Sequence, residues 1–433
     1  MKTYLPLLLG ICFLTGCPST TVPVTTPTVD APSERPYFYY FEHEGQPNVI
    51  NDGQVCRNLL FQDLGTLIHN LSEENAVPVS YERLYSYYDN NGMTIDGPTL
   101  TMADLPLLFP TIRGISAIRD MKKKFHGAWV EEAQEDIENW CAILVDNFDD
   151  VDKKGSYRVY IDPETGYDIS EMYPLTLLGG AMWSHGLNNY FRYVENDNND
   201  TIVYYPGVDW LNYTWMEHHL DEAFGYYGAA RNFLDFTNQE VSGYEEGLNY
   251  KDDYLKDGKL DFKTEYNFIF ARLAAERDLA SHTNTDFSRS IFDAFYEARL
   301  AITRKDYDKL LEKKAIILDN WEKVVAATAI HYLNATMKEL DYLDSTPGYD
   351  PELFYKNWSA MFKYTEMLRY NYANRLTQYQ DILDERYRTE EVPFPKAIIN
   401  HPEDIPDYKN SLLVARNHFQ SIYDFDSVDV AGW

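Results

Sequence analysis

The sequence predicts an all-α protein, one or two packed helical bundles with at most a small β-hairpin. Apolar residues recur at helical spacing through most of the chain after residue 37. Helix-capping residues stand just ahead of the clearest stripes. Only one short stretch alternates in the manner of a strand. The hydrophobic fraction of 45% is ordinary for a globular protein, and the 15% of aromatic residues come mostly from 36 Tyr.

The chain begins MKTYLPLLLGICFLTGC. Lys2 gives a positive end, and residues 4 to 14 form an apolar core too short to span a bilayer as a finished helix. Leu14-Thr15-Gly16-Cys17 then resembles the bacterial lipobox, where small residues admit the lipoprotein signal peptidase to the bond before the cysteine. The expectation is a signal peptide over 1–16 and lipid on Cys17. The alternative is an ordinary secretory signal. Acyl chains anchor at roughly 0.8 kcal/mol per buried methylene. No Asp follows the cysteine, which by resemblance to Gram-negative sorting signals implies the outer membrane, with the facing side left open. Residues 17–36 hold five Pro and five Thr, so they read as an extended tether rather than core.

The helical domain is expected over 37–433, as one body or as bundles of about 37–236 and 259–433. Helices are expected near 53–71, 116–147, 170–193 and 213–227. Residues 157–161, followed by turn chemistry at 162–166, suggest the one hairpin. Polar loops are expected at 89–98, 195–209 and 237–258. Asp286 can cap a helix over 287–303, with Phe287, Ile291, Phe295 and Ala298 on one side. Asp306 can cap the longest helix, to about Leu343. There Leu311, Leu318, Val325 and Tyr332 recur every seven residues beside Leu310, Ile317, Trp321, Val324 and His331. A further helix is expected after Pro351, and the Tyr37–Phe41 run as an edge segment packed on the bundle.

Charge bounds the partners. With 38 basic against 69 acidic residues the net charge is −31, which disfavours nucleic acid and anionic lipid and favours cations or a solvated acidic surface. Once Cys12 leaves with the signal and Cys17 takes lipid, Cys56 and Cys141 remain. In an oxidising compartment they form either a disulfide or two buried thiols.

The densest chemistry lies in Trp215 to Gly228. On a helix, His219 and Glu222 are three apart, and His218 stands above Asp221 and Glu222. A neutral imidazole and a carboxylate at this spacing can chelate one transition-metal ion such as iron or zinc. The competing use is a hydrogen bond that pins the helix in a crowded core. His331 and His185 lie in apolar surroundings and read as core histidines that would join such a site only if the fold brought them there. Asp150, Asp152 and Gly155 begin like a calcium loop, but Ile161 takes the twelfth position, where a bidentate Glu belongs. There is no zinc-protease helix after His43-Glu44, no nucleophile elbow, no phosphate loop and no dinucleotide fingerprint.

Four phrases resemble a domain-of-unknown-function family of bacterial lipoproteins: Gly179-Gly180-Ala181-Met182, Glu217 to Tyr226, Ile291 to Arg299, and Trp321-Glu322 with Ala329 to Tyr332. The E-H-H-x-D-E-A-x-G-Y phrase is the most specific. The resemblance runs from about Tyr37 to Trp433. Leu220 stands where the family phrase has Trp, and Asn357 and Ala360 where it has His and Glu. The family is similar in context to the imelysin-like proteins, whose His-x-x-Glu motif His219 and Glu222 match. That likeness implies an accessory role in iron uptake, with an outer-membrane uptake system as partner. The expected ligands are then His219 and Glu222, with His218, Asp221 and His331 further out. The alternatives are a metal-dependent hydrolase with Glu222 as general base and a partner-docking lipoprotein without metal.

Overall fold

Side-chain caps set the helix ends where the polar residues fall. Thr214 Oγ1 accepts from Glu217 N at 3.2 Å while Glu217 Oε2 accepts from Thr214 N at 2.9 Å. Asp286 and Asp306 accept from the backbone N–H three residues on, at 3.3 and 3.1 Å. Each satisfies a backbone donor that the first turn leaves unpaired.

The computed structural model describes residues 22–23, 38–89, 121–125, 130–204, 212–243, 262, 265–371, 375–376 and 379–433. Its helices are α1 (Asp52–Asn70), α2 (Tyr81–Tyr85), α3 (Val130–Asp149), α4 (Ile169–Leu177), α5 (Phe191–Asn196), α6 (Trp215–Tyr227), α7 (Asn238–Ser242), α8 (Ile269–Ala280), α9 (Phe287–Arg304), α10 (Tyr307–Ser345), α11 (Glu352–Met367), α12 (Gln380–Tyr387), α13 (Pro395–Asn400), α14 (Ile405–Tyr423) and α15 (Ser427–Gly432). Two π-helical stretches, Leu178–Trp183 and His185–Tyr190, join α4 to α5. Extended pairing among the described residues is confined to Val22–Pro23 with Thr201–Ile202, Glu42–His43 with Gln46–Pro47, and a single bridge from Ile161 to Asp168. The protein is all-α, as the periodicity predicts. No described helix is long and apolar enough to cross a membrane.

The long helix α10 packs between α9 and α11 and also touches α8 and α14. Leu310, Ile317, Trp321, Val324 and Val325 are buried along it, and each such side chain contributes roughly 1.5–3 kcal/mol. Leu311 is 48% exposed, so the buried stripe runs one residue earlier than the seven-residue repeat suggests at that end. One core joins residues before and after the 244–261 stretch, with Phe224 edge-on to Phe292 and Phe295, and Trp183 edge-on to Trp321.

Several local expectations change. Tyr157–Tyr160 is a 3-10 turn rather than a strand, because Asn147 Nδ2 gathers the carbonyls of Val159 and Ile161 at 3.0 and 2.9 Å and curls the chain. The helix expected from 116 does not run through Lys122–Lys124, a 3-10 turn followed by extended Phe125; residues 116–120 and 126–129 lie outside the described ones. The polar stretch after 236 contains α7, started by a Thr237–Glu240 capping box. Cys56 on α1 and Cys141 on α3 are both buried and are not bridged, so of the two alternatives the structure has the buried thiols. Burial pushes the Cys141 thiol up to about 12, which keeps it protonated and inert.

Candidate functional site

Helix α6 crosses α1 closely enough that glycine is required at the contact. A Cβ on Gly225 would stand 2.7 Å from Asn51 Cβ and 2.9 Å from Gln54 Cβ. Asn58 Nδ2 donates to the Gly225 carbonyl at 3.0 Å and ties the crossing. The close approach puts Gln54 beside the carboxylate of Glu222. Gln54 Nε2 donates to Glu222 Oε1 at 2.7 Å and to the Tyr190 hydroxyl at 2.8 Å.

The other oxygen, Glu222 Oε2, is buried and has no hydrogen-bond partner among the described residues. It lies 3.7 Å from His218 Nε2, four residues back on the same helix, where the two side chains are 12% and 11% exposed. Burial lowers the His218 imidazole below its usual range, so it stays neutral at pH 7. Burial is the largest influence on Glu222 and would raise it, but the neighbouring imidazoles wherever they carry a proton, the Lys124 charge and the Gln54 hydrogen bond outweigh it and hold the carboxyl low. The arrangement is therefore a neutral imidazole facing an ionised carboxylate oxygen across a gap wider than a hydrogen bond. Tyr213 stacks on the His218 ring at 4.4 Å.

His219 turns to a different partner. Its Nδ1 contacts Asp197 Oδ2. A carboxylate there assigns the ring proton to Nδ1 and makes Nε2 the acceptor, the form of imidazole that ligates metals. Trp215 and Tyr190 flank the ring at 5.6 and 5.9 Å. The π-helical stretch after Ser184 brings in His185, 4.7 Å from Tyr190 and 6.3 Å from Tyr226. Lys124 Nζ stands 3.2 Å from His185 Nε2. Arg57 Nη1 donates to the Tyr226 hydroxyl at 3.2 Å. His185 and His219 thus pack against Tyr190, His185 also meets Tyr226, and Gln54 joins the Tyr190 hydroxyl to Glu222.

The residues singled out by sequence divide among three environments. His218, His219 and Glu222 share the cluster, but His219 and Glu222 are not one chelate: Asp197 holds the first, and His218 faces the second. Asp221 points to the opposite side of α6, where Tyr39 donates to it at 2.8 Å and Arg299 at 3.1 Å. Burial pushes its carboxyl up despite Arg299. His331 lies on α10 edge-on to Tyr332, and burial, reinforced by the Arg277 charge, lowers it to about 3. Among the described residues no group of three or more His, Cys, Asp or Glu is gathered tightly enough to hold a metal ion by itself. Gln54, Lys124, Tyr190 and Asp197 belong to the cluster without a signal in the sequence, because each arrives from a different element. The adjacent pair Gly179-Gly180 was the nearest hint that another segment comes close.

A family model described as a domain of unknown function matches residues 119–350, just over half the chain. That stretch includes α6 and the π-helical run, while Gln54 precedes it. No curated protein and no solved structure matches the chain.

Proposed function

The chain belongs to the DUF4856 family, a domain of unknown function, and we propose that it is an exported binding protein, lipid-anchored through Cys17 at the outer membrane, whose helical domain takes up a transition-metal ion, iron foremost, for an uptake system there. One observation carries the metal reading: Glu222 Oε2, ionised, buried and without a hydrogen-bond partner among the described residues, faces the neutral His218 Nε2 at 3.7 Å. Two ligands about 2.1 Å from one tetrahedral ion stand roughly 3.4 Å apart. Metal ligands must be deprotonated, and both groups are. Asp197 orients His219 next to them in the ligating tautomer. Water or the cargo's own donors complete the shell.

The test is calorimetric titration of the full chain with iron, zinc and manganese, with melting followed in parallel. One ion per chain should bind the wild type and raise its Tm. His218→Ala and Glu222→Gln should each abolish tight binding. Asp200→Ala, whose carboxylate is 77% exposed and paired with Lys305, should bind as wild type. A wild-type Tm unmoved by all three metals would sink the reading. In its place would stand the second reading, that the Gln54–Glu222 and His219–Asp197 hydrogen bonds and the stacked rings serve only to lock α1, α5 and α6 together.

A further inference from the structure

The chain returns to the helical domain a few residues after Cys17. Val22–Pro23 pairs antiparallel with Thr201–Ile202, Val22 opposite Ile202 and Pro23 opposite Thr201. Thr201 stands four positions after Asp197, the residue that holds His219. Cys17 and Val22 are five positions apart, and five residues span at most about 18 Å when fully extended. Whatever holds Cys17 is therefore kept close to this edge of the domain.

The surface around that edge carries exposed rings. Tyr204, Tyr193 on α5 and Tyr307 at the start of α10 are all exposed, and so is Leu311, one turn further along α10 on the same side. These residues are brought together by contacts. The Tyr193 ring lies 5.1 Å from that of His219. Asn199 Nδ2 donates to the Tyr307 hydroxyl at 3.4 Å. Lys314 Nζ donates to the Phe191 carbonyl at 3.0 Å, which sets α5 beside this end of α10. Two carboxylates of the area are already paired, Asp200 with Lys305 at 2.7 Å and Glu195 with Lys314 at 2.5 Å. Tyrosine, with an apolar ring and a polar tip, is the residue that settles at the headgroup level of a bilayer. The net charge of −31 disfavours anionic lipid, so the surface it fits is zwitterionic.

We propose that this face, the Thr201–Ile202 edge with Tyr193, Tyr204, Tyr307 and Leu311, rests on the bilayer that carries the lipid of Cys17. The proposal rests on the anchoring at Cys17 put forward above and adds the side by which the domain meets the membrane. The His219–Asp197 edge of the site then lies on the membrane side. Tyr342, at the other end of α10, stands away from it by about 50 Å of helix.

The experiment uses the full lipidated chain in phosphatidylcholine vesicles with a nitroxide on part of the headgroups. A fluorophore is attached at Tyr204→Cys or at Tyr342→Cys. Cys56 and Cys141 are buried, so the introduced thiol is the one labelled. The label at 204 should lose most of its emission, and the label at 342 should keep it. Leu311→Asp should restore part of the emission at 204 while the chain stays on the vesicles. Equal quenching at the two positions, in a chain that floats with the vesicles, overturns the docking and keeps the anchor. Quenching at 204 that Leu311→Asp leaves unchanged also overturns it, because the tether alone then holds that edge near the bilayer. In detergent, a dimer that Leu311→Asp dissolves gives the face to a second copy instead. A chain that does not float with the vesicles removes the anchoring and the docking together.

Discussion

On one face of α6, Glu217 and Asp221 meet Arg299; on the next face, His218 and Glu222 face each other with nothing between them among the described residues. Arg299 is fully buried, and its guanidinium donates to Asp221 at 3.1 Å, Glu217 at 2.6 Å, Thr303 at 2.9 Å and Asn48 at 3.2 Å. It also lies 4.8 Å over the Phe41 ring. Burial alone would depress its pKa, but Asp221 and Glu217 more than offset that and keep it charged. Glu217 in addition completes the helix cap. Every group there has a partner, and the set ties α6 to α9 and to the segment around Tyr39. The second face also carries a buried carboxylate, yet one of its oxygens is left without a hydrogen bond among the described residues at nearly the same depth. A satisfied buried charge holds a fold together; an unsatisfied one, ionised and facing a neutral imidazole, is a place for something else. On the metal reading proposed above, adjacent residues of one helical phrase would serve different ends.

Removing Arg299 should have the largest effect. Arg299→Met leaves two buried carboxylates without their cation and should cost about 3–5 kcal/mol, measured by denaturant unfolding. The isosteric Glu222→Gln keeps the Gln54 hydrogen bond and should change stability by less than about 1 kcal/mol while losing metal. Equal destabilisation by the two would erase the distinction between the faces.

Next in size is Gly225→Ala. The added methyl meets Asn51 and Gln54 below 3 Å, and forcing the helices apart should cost about 1–3 kcal/mol. It should also weaken metal binding by moving Gln54 off Glu222. Wild-type stability together with wild-type binding would show that the α1–α6 contact does not position the site.

The smallest effect at neutral pH concerns His331, a partly buried histidine whose charged influence is Arg277 rather than a carboxylate, unlike His218 and His219. Its folded pKa of about 3 lies below the unfolded value near 6.5. The unfolded chain therefore binds the proton first as pH falls. The contribution of the neutral ring is fully present above about 6.5 and is lost between there and 3, at up to about 1.4 kcal/mol per pH unit. His331→Gln should flatten that part of the stability–pH curve and leave metal binding unchanged. An identical curve in the variant would mean that the ring already titrates normally in the folded protein.

The all-α class, the caps at Asp286 and Asp306, and the helical register of the phrase from Glu217 to Glu222 were all legible in the chain alone. These depend on local periodicity and on side chains reaching backbone three residues away, so nearby residues suffice to specify them. Within that phrase, spacing could not choose among partners. His218 with Asp221 or Glu222, and His219 with Glu222, all fit one helical turn. The tertiary structure decided, because Arg299 comes from α9 to take Asp221, Asp197 comes from the end of α5 to take His219, and only Glu222 is left facing His218. Leu311 shows the same limit in the core: its spacing matches a buried stripe, but it is half exposed while Leu310 beside it is buried. Likewise Gln54 and Lys124 carry no mark in the sequence. Their places follow from two glycines, Gly225 and Gly180, whose missing side chains let distant segments touch.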